Sequence, residues 1–178
     1  MKENVEFVAD VAHSATEPLA DEVASLFQSY RGPLLRYLLS MGLPIAVSEE
    51  IAQEVFLSLF QHLRQGKSRA HLRGWIFRVG HNLALKERQR ATRRPQTHLD
   101  EQRACSQPNP EQSAAAAQRH RRLMAIVQAL PAQDQHCLHL RAEGLTYREI
   151  AHVLGVSLGS VAMILSRSLL KATQAEAL

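Results

Sequence analysis

The sequence predicts an all-α chain of two small helical domains joined by a flexible linker. Three observations predict it. Apolar residues reach 46% while aromatic residues make up only 5%, and β-branched runs are short, which favours helices over sheet. Apolar residues recur three and four positions apart in several separate segments. Between these segments, residues 95–115 (PQTHLDEQRACSQPNPEQSAA) show no such period and contain Pro95, Pro108 and Pro110. That is the composition of a linker, with too little apolar surface to order itself.

The elements follow in chain order. Residues 1–16 are weakly patterned and read as a loose tail. The first domain is expected over 17–94. Its first helix starts at Pro18, with Leu19, Val23, Leu26 and Phe27 on one face. Gly32-Pro33 is expected to interrupt or restart it, since proline lacks a backbone donor. Leu34, Leu35, Leu38 and Leu39 then carry the stripe to Met41-Gly42. Ser48 reads as the N-cap of a second helix, with Glu49 and Glu50 in its first turn and Ile51, Val55, Phe56, Leu59 and Leu63 on its apolar face. After a loop at 64–70, a third helix buries Trp75, Ile76, Val79 and Leu83 and runs into an arginine cluster that Pro95 ends.

The second domain is expected over 116–175. Leu123, Ile126, Val127 and Leu130 make its first stripe, which Pro131 breaks. The next helix stops at Gly144. Thr146, with Glu149 three residues on, forms a capping box. Gly155 supplies a left-handed turn before a last helix over about 158–171. The resulting pair, TYREIAHVLG and VSLGSVAMILSR, fits a helix-turn-helix, with Ala151 small at the crossing and Ile150, Val153, Leu154, Val161 and Leu165 between the helices. An ordinary helical hairpin is the alternative.

Charge is distributed unevenly. The net charge is +4, but residues 1–63 hold three Lys/Arg against nine Asp/Glu, whereas residues 64–94 hold ten Lys/Arg against Glu87 alone. A basic block beside an acidic one suits one polyanionic partner and a different second partner. Cys105 and Cys137 are far apart and lack the spacing of metal ligands, and the nine histidines form no cluster, so no metal and no cofactor is expected. There is no phosphate-cradling glycine loop and no nucleophile-base pattern. His62 and His81 are expected at the surface or half-buried, and the chain is not expected to be an enzyme. No apolar run is long enough for a bilayer and no signal peptide is evident, which implies a cytoplasmic protein without membrane insertion.

Several segments carry a family resemblance. Leu130-Pro131, Leu140, Glu143-Gly144-Leu145, Tyr147, Glu149-Ile150-Ala151, Leu154-Gly155-Val156-Ser157, Gly159, Val161 and Ser166-Arg167 resemble region 4 of the extracytoplasmic function (ECF) sigma factors of bacterial RNA polymerase. SEEIAQEVFLSLF (48–60) and GWIFRVGHNLALKERQR (74–90) resemble regions 2.2 and 2.3–2.4 of the same family. The resemblance spans roughly residues 20–94 and 116–172 and implies a sigma factor that brings core RNA polymerase to promoter DNA and promotes initiation. By the same resemblance, an anti-sigma protein is a further partner, and Glu50, Gln53 and Glu54 dock the polymerase. The −10 element falls to Lys67, Arg69, His71, Trp75, Arg78, Asn82, Lys86, Arg88 and Arg90. Arg73 and Phe77 belong to the same basic, aromatic-bearing block. Cations of this kind grip phosphates by releasing counterions, and planar side chains hold unstacked bases. Packing in the core is the competing role for Trp75.

For the −35 element the resemblance points to Ser157, Leu158, Gly159, Ser160, Ala162, Met163, Ser166, Arg167 and Lys171 on the last helix. Ala162 and Met163 cannot make bidentate bonds to base edges, so a weak or unusual −35 preference is expected, by thymine-methyl contact or groove shape. Tethering to the first domain offsets weak binding. An alternative role for the apolar surface at Met163 and Ile164 is to bind an inhibitor protein, and Ile164 equally suits the core. Two other readings remain: a stand-alone helix-turn-helix regulator, and a sigma-like interaction protein that opens no promoter.

Overall fold

A computed structural model describes the backbone of residues 3–93 and 114–176; the side chains of residues 1–16, 114–117, 119, 120 and 172–176 lie outside the description. Seven helices and no strand occur among the described residues: α1 (Glu3–Ser40), α2 (Ile45–Arg64), α3 (Leu72–Arg93), α4 (Ala114–Gln128), α5 (Ala132–Ala142), α6 (Tyr147–Leu154) and α7 (Leu158–Glu176). The linker expected over 95–115 falls outside the described residues except where α4 begins, and the tail expected over 1–16 falls on the first turns of α1.

Helices α1, α2 and α3 pack on one another as a front unit. Leu34, Tyr37 and Leu38 from α1, Val55 and Leu59 from α2, and Ile76 and Phe77 from α3 are all fully buried there. The break expected at Gly32-Pro33 does not occur, and α1 continues through Pro18 and Pro33. An internal proline costs about 3 kcal/mol. The apolar side chains that follow Pro33 lie against α2 and α3, and that burial outweighs the lost bond. The cap expected at Ser48 is also corrected. Helix α2 starts a turn earlier, after Pro44, and Ser48 is buried inside it with no hydrogen-bond partner for its hydroxyl. Gly80 sits where α3 packs on α1, and a Cβ there would stand 2.8 Å from Leu34 Cδ1.

The rear unit packs α4, α5 and α6 around α7. The capping box is formed as the sequence predicts: Glu149 N–H donates to Thr146 Oγ1 at 3.3 Å, and Thr146 N–H donates to Glu149 Oε2 at 2.8 Å. Gly155 ends α6 at φ 66°, a left-handed conformation that glycine adopts without a Cβ penalty. Across this turn the chain direction changes by 106°. Ile150, Val153, Val161 and Leu165 are buried between the two helices, so the helix-turn-helix holds and the simple hairpin does not. Ile164, only 8% exposed, belongs to the core. Thr146→Ala removes the cap and is expected to destabilise the rear unit by about 1 kcal/mol in denaturant unfolding of the full chain.

The two units touch. Helix α6 lies on α3 and α5 on α1, and the buried residues of both units form one continuous cluster. Among the described residues no single helix is long and apolar enough to cross a membrane.

Candidate nucleic-acid and partner interface

The front unit presents two chemically different surfaces. On α2, Glu50, Gln53 and Glu54 are exposed, as the stripe pattern requires. They are not purely polar in their surroundings. Gln53 borders an apolar groove between α1 and α2 of about 540 Å³, floored by Val23, Phe27, Phe56, Leu57 and Phe60. Leu57 is 66% exposed, and Phe27 meets Phe56 edge-on at 4.9 Å. The sequence reading missed Leu57 and Phe27 as surface residues. A signal was present: Val55, Phe56, Leu57, Leu59 and Phe60 make an apolar arc wider than one buried stripe.

The second surface is α3 with its preceding loop. Lys67, Arg69 and His71 are exposed on the loop, and His71 holds a positive φ of 60°. Arg69 Nε reaches Glu22 at 3.2 Å, an exposed pair of little energetic weight. Arg78, Asn82, Lys86, Arg88 and Arg90 are exposed along α3, with Arg90 lying 3.4 Å from Glu87. Trp75 is half-buried against the core, its ring 4.9 Å from that of His62, so packing takes most of its surface. Phe77 is fully buried beside Tyr37 and does not belong to an exposed base-stacking surface.

Two arginines of α3 are engaged by the rear unit. Arg73 donates from Nε and Nη2 to both oxygens of Glu149, at 2.9 and 2.6 Å. Arg78 Nη1 donates to His152 Nε2 at 2.9 Å. The Arg73 bonds hold the Glu149 carboxyl at about 2, well below the usual range. A second bidentate pair joins Arg36 of α1 to Glu143, at 3.0 and 2.6 Å.

Beneath these pairs lies a buried polar seam. Tyr37 Oη and His81 Nδ1 are 2.7 Å apart, and the His136 ring stands edge-on to both. His81 and His136 are 6% and 8% exposed, so the expectation of a surface or half-buried His81 is corrected. Burial lowers the pKa of both, and His136 falls to about 4 because the neighbouring His81, Arg88 and His139 add to the effect. Burial also pushes the Cys137 thiol up to about 11. No group of three His, Cys, Asp or Glu among the described residues is arranged to hold a metal.

On α7, Leu158, Met163, Ser166 and Lys171 are exposed, with Met163 at 67%, while Ala162 is half-buried. Ser157 caps the helix: its Oγ accepts from Ser160 N–H at 3.0 Å and lies 2.8 Å from Ser160 Oγ. Gly159 follows in the first turn. Arg167 Nη2 donates to the buried Asp134 at 2.6 Å. That pair ties α7 to α5, while about half of the Arg167 side chain stays exposed.

Comparison with known proteins follows the same division. Residues 26–94 match the family model of sigma-70 region 2, and residues 120–171 match that of sigma-70 region 4. The RNA polymerase sigma factor YlaC of Bacillus subtilis is 25% identical over 155 residues, covering 85% of this chain and 90% of that protein. The ECF RNA polymerase sigma factor SigE of Mycolicibacterium smegmatis is 32% identical over 118 residues, 64% of this chain but only 46% of its relative. In fold, the chain is similar to the sigma factor RpoE of Bartonella quintana, solved with the anti-sigma factor NepR. The TM-score is 0.64 at 14% identity, over 89% of this chain and 98% of that one.

Proposed function

The chain belongs to the sigma-70 family, in its ECF group, and from that premise we propose how it directs core RNA polymerase to promoters as a non-enzymatic subunit. One observation carries the reading: a single chain bears both regions in order, the first with an acidic, apolar-grooved face and a basic helix, the second ending in a helix-turn-helix. Polymerase docks on the α1–α2 groove. The apolar floor supplies affinity, and Glu50, Gln53 and Glu54 on its rim steer a basic partner. The loop at 64–71 and the exposed cations of α3 follow the promoter strand at the −10 element, with Asn82 offering an amide to a base.

At the −35 element α7 enters the major groove with Leu158, Ala162 and Met163 forward. Their chemistry suits thymine methyls and groove shape rather than donor–acceptor readout. Ser157 and Arg167 contribute to holding the helix, and Ser166, Lys171 and the exposed part of Arg167 remain for phosphates. The rear unit is therefore a weak anchor, made effective by its tether to the front unit over residues 95–115. The protein works in the cytoplasm, and an anti-sigma protein is its third partner.

Transcription in vitro with core polymerase and fragmented host DNA, with start sites mapped, tests this reading. A small set of discrete starts that depend on the chain is expected; polymerase binding without initiation would favour an interaction protein that opens no promoter. Replacing Arg88 and Arg90 with alanine is expected to reduce the salt slope of promoter binding by the holoenzyme by about 2, one per lost phosphate contact. Titration of affinity against salt reads this directly.

A further inference from the structure

The loop between α2 and α3 has its ends fixed by backbone bonds and its middle held by a ring. At its start, Gln65 N–H donates to the Gln61 carbonyl at 3.1 Å and Lys67 N–H to the His62 carbonyl at 3.3 Å. At its end, His71 holds a φ of 60° and its carbonyl accepts from Trp75 N–H at 3.0 Å. Between these points, among the described residues, two side chains reach the loop from outside it. Glu22 of α1 meets Arg69 at 3.2 Å, a solvated pair of little weight. His62 of α2 places Nε2 3.1 Å from the Ser68 carbonyl. A carbonyl can only accept, so Nε2 carries the proton and donates. The same imidazole is half-buried, its ring 4.9 Å from that of Trp75 on α3. It is thus anchored on one helix, packed on the next, and bonded to the loop that joins them. Ser68 tightens the turn locally, its Oγ accepting from Ala70 N–H at 3.1 Å.

We infer that His62 is a positioning residue for base recognition: by holding the Ser68 carbonyl it keeps the loop in one shape, and that shape sets which bases the chain accepts at the −10 element. The inference rests on the loop being a −10 contact. Grip and choice are separate here. Lys67 and Arg69 are exposed and grip phosphate whatever the sequence. Telling one base from another needs polar groups fixed to within a fraction of an ångström, and a loop free to adapt accepts several bases alike. Loss of the His62 bond therefore removes selectivity and spares affinity.

The test uses holoenzyme and a single-stranded DNA 20-mer library randomised at its central bases, with the bound fraction sequenced. Two variants divide what the imidazole does. His62→Phe keeps a ring against Trp75 and lacks the donor; His62→Gln keeps a donor at similar reach and lacks the ring. His62→Phe is expected to lower base enrichment about fivefold, the usual worth of one hydrogen bond, with total library binding within about twofold of wild type. His62→Gln is expected to retain the wild-type enrichment. In the free chain, amide exchange at Ala70 should rise about fivefold in His62→Phe and stay unchanged in His62→Gln, with far-UV helicity the same in both. Enrichment lost equally in the two variants would overturn the role of the donor. Unchanged exchange at Ala70 in His62→Phe would overturn the tether, and faster exchange with wild-type enrichment would overturn its effect on base choice. The −10 reading is scored separately by Lys67→Ala with Arg69→Ala. Unchanged library binding there counts against the loop as a DNA contact, whereas a fall in binding beside wild-type enrichment in His62→Phe sinks the positioning role alone.

Discussion

Leu57→Asp is expected to weaken binding to core RNA polymerase by at least about 30-fold, roughly 2 kcal/mol, while the chain stays folded. Leu57 stands in the apolar groove of α1 and α2 with most of its side chain in water. Covering it on docking returns the transfer energy of a large aliphatic group. An aspartate there places an unpaired charge inside the dried contact, which costs more than the lost burial. Stability of the free chain should change by no more than about 0.5 kcal/mol, because nothing in the folded core rests on an exposed side chain. Alanine at Gln53 and Glu54 should have a smaller effect, mainly on the association rate and its salt dependence. Surface plasmon resonance against core polymerase separates the two. Wild-type kinetics in Leu57→Asp would remove the groove from the docking face.

Acid is expected to part the two units. The group that matters is His136 of α5, which faces Tyr37 from α1, His81 and Arg88 from α3, and His139 of its own helix. In the docked form burial keeps it near 4; once exposed, it returns toward 6.5. The sign follows from proton uptake. Above 6.5 both forms are neutral and docking is unaffected. Between 6.5 and 4 the parted form binds a proton that the docked form refuses, so docking weakens as pH falls. At pH 5 the penalty from His136 alone is about 30-fold, or about 2 kcal/mol. His81, lowered by its own burial, acts in the same direction. Glu149, held at about 2, stays charged throughout and does not contribute. X-ray scattering from pH 7.5 to 4.5 should show the radius of gyration rising, with helicity retained. His136→Gln should flatten that rise, and an identical profile in the variant would place the transition elsewhere.

How much of this was legible depends on the range of the interaction. The capping box of Thr146 and Glu149 and the turn at Gly155 are encoded within a few residues, and each formed as read. Ser48 misled because a good cap residue stood one turn inside a helix that Pro44 already starts. Pro33 misled because its local cost is repaid by burial against α2 and α3, which the local sequence does not display. In the site, exposure of Glu50, Gln53, Glu54 and the α3 cations followed from periodicity alone. The contacts that modify the site join residues 107, 76 and 33 positions apart: Arg36 with Glu143, Arg73 with Glu149, and Arg167 with Asp134. No period or motif links such partners, so the pairing of Arg167 with Asp134 is not legible in the sequence.

Gly80 fixes an offset. Its missing Cβ lets α3 settle against Leu34, on the same bundle whose other face is the groove around Leu57. An added methyl group there would press first on the end of the Leu34 side chain, inside the core that α3 shares with α1. The seating of a cation-bearing helix on its bundle is thus tuned by one absent methyl group, buried away from every charge it positions.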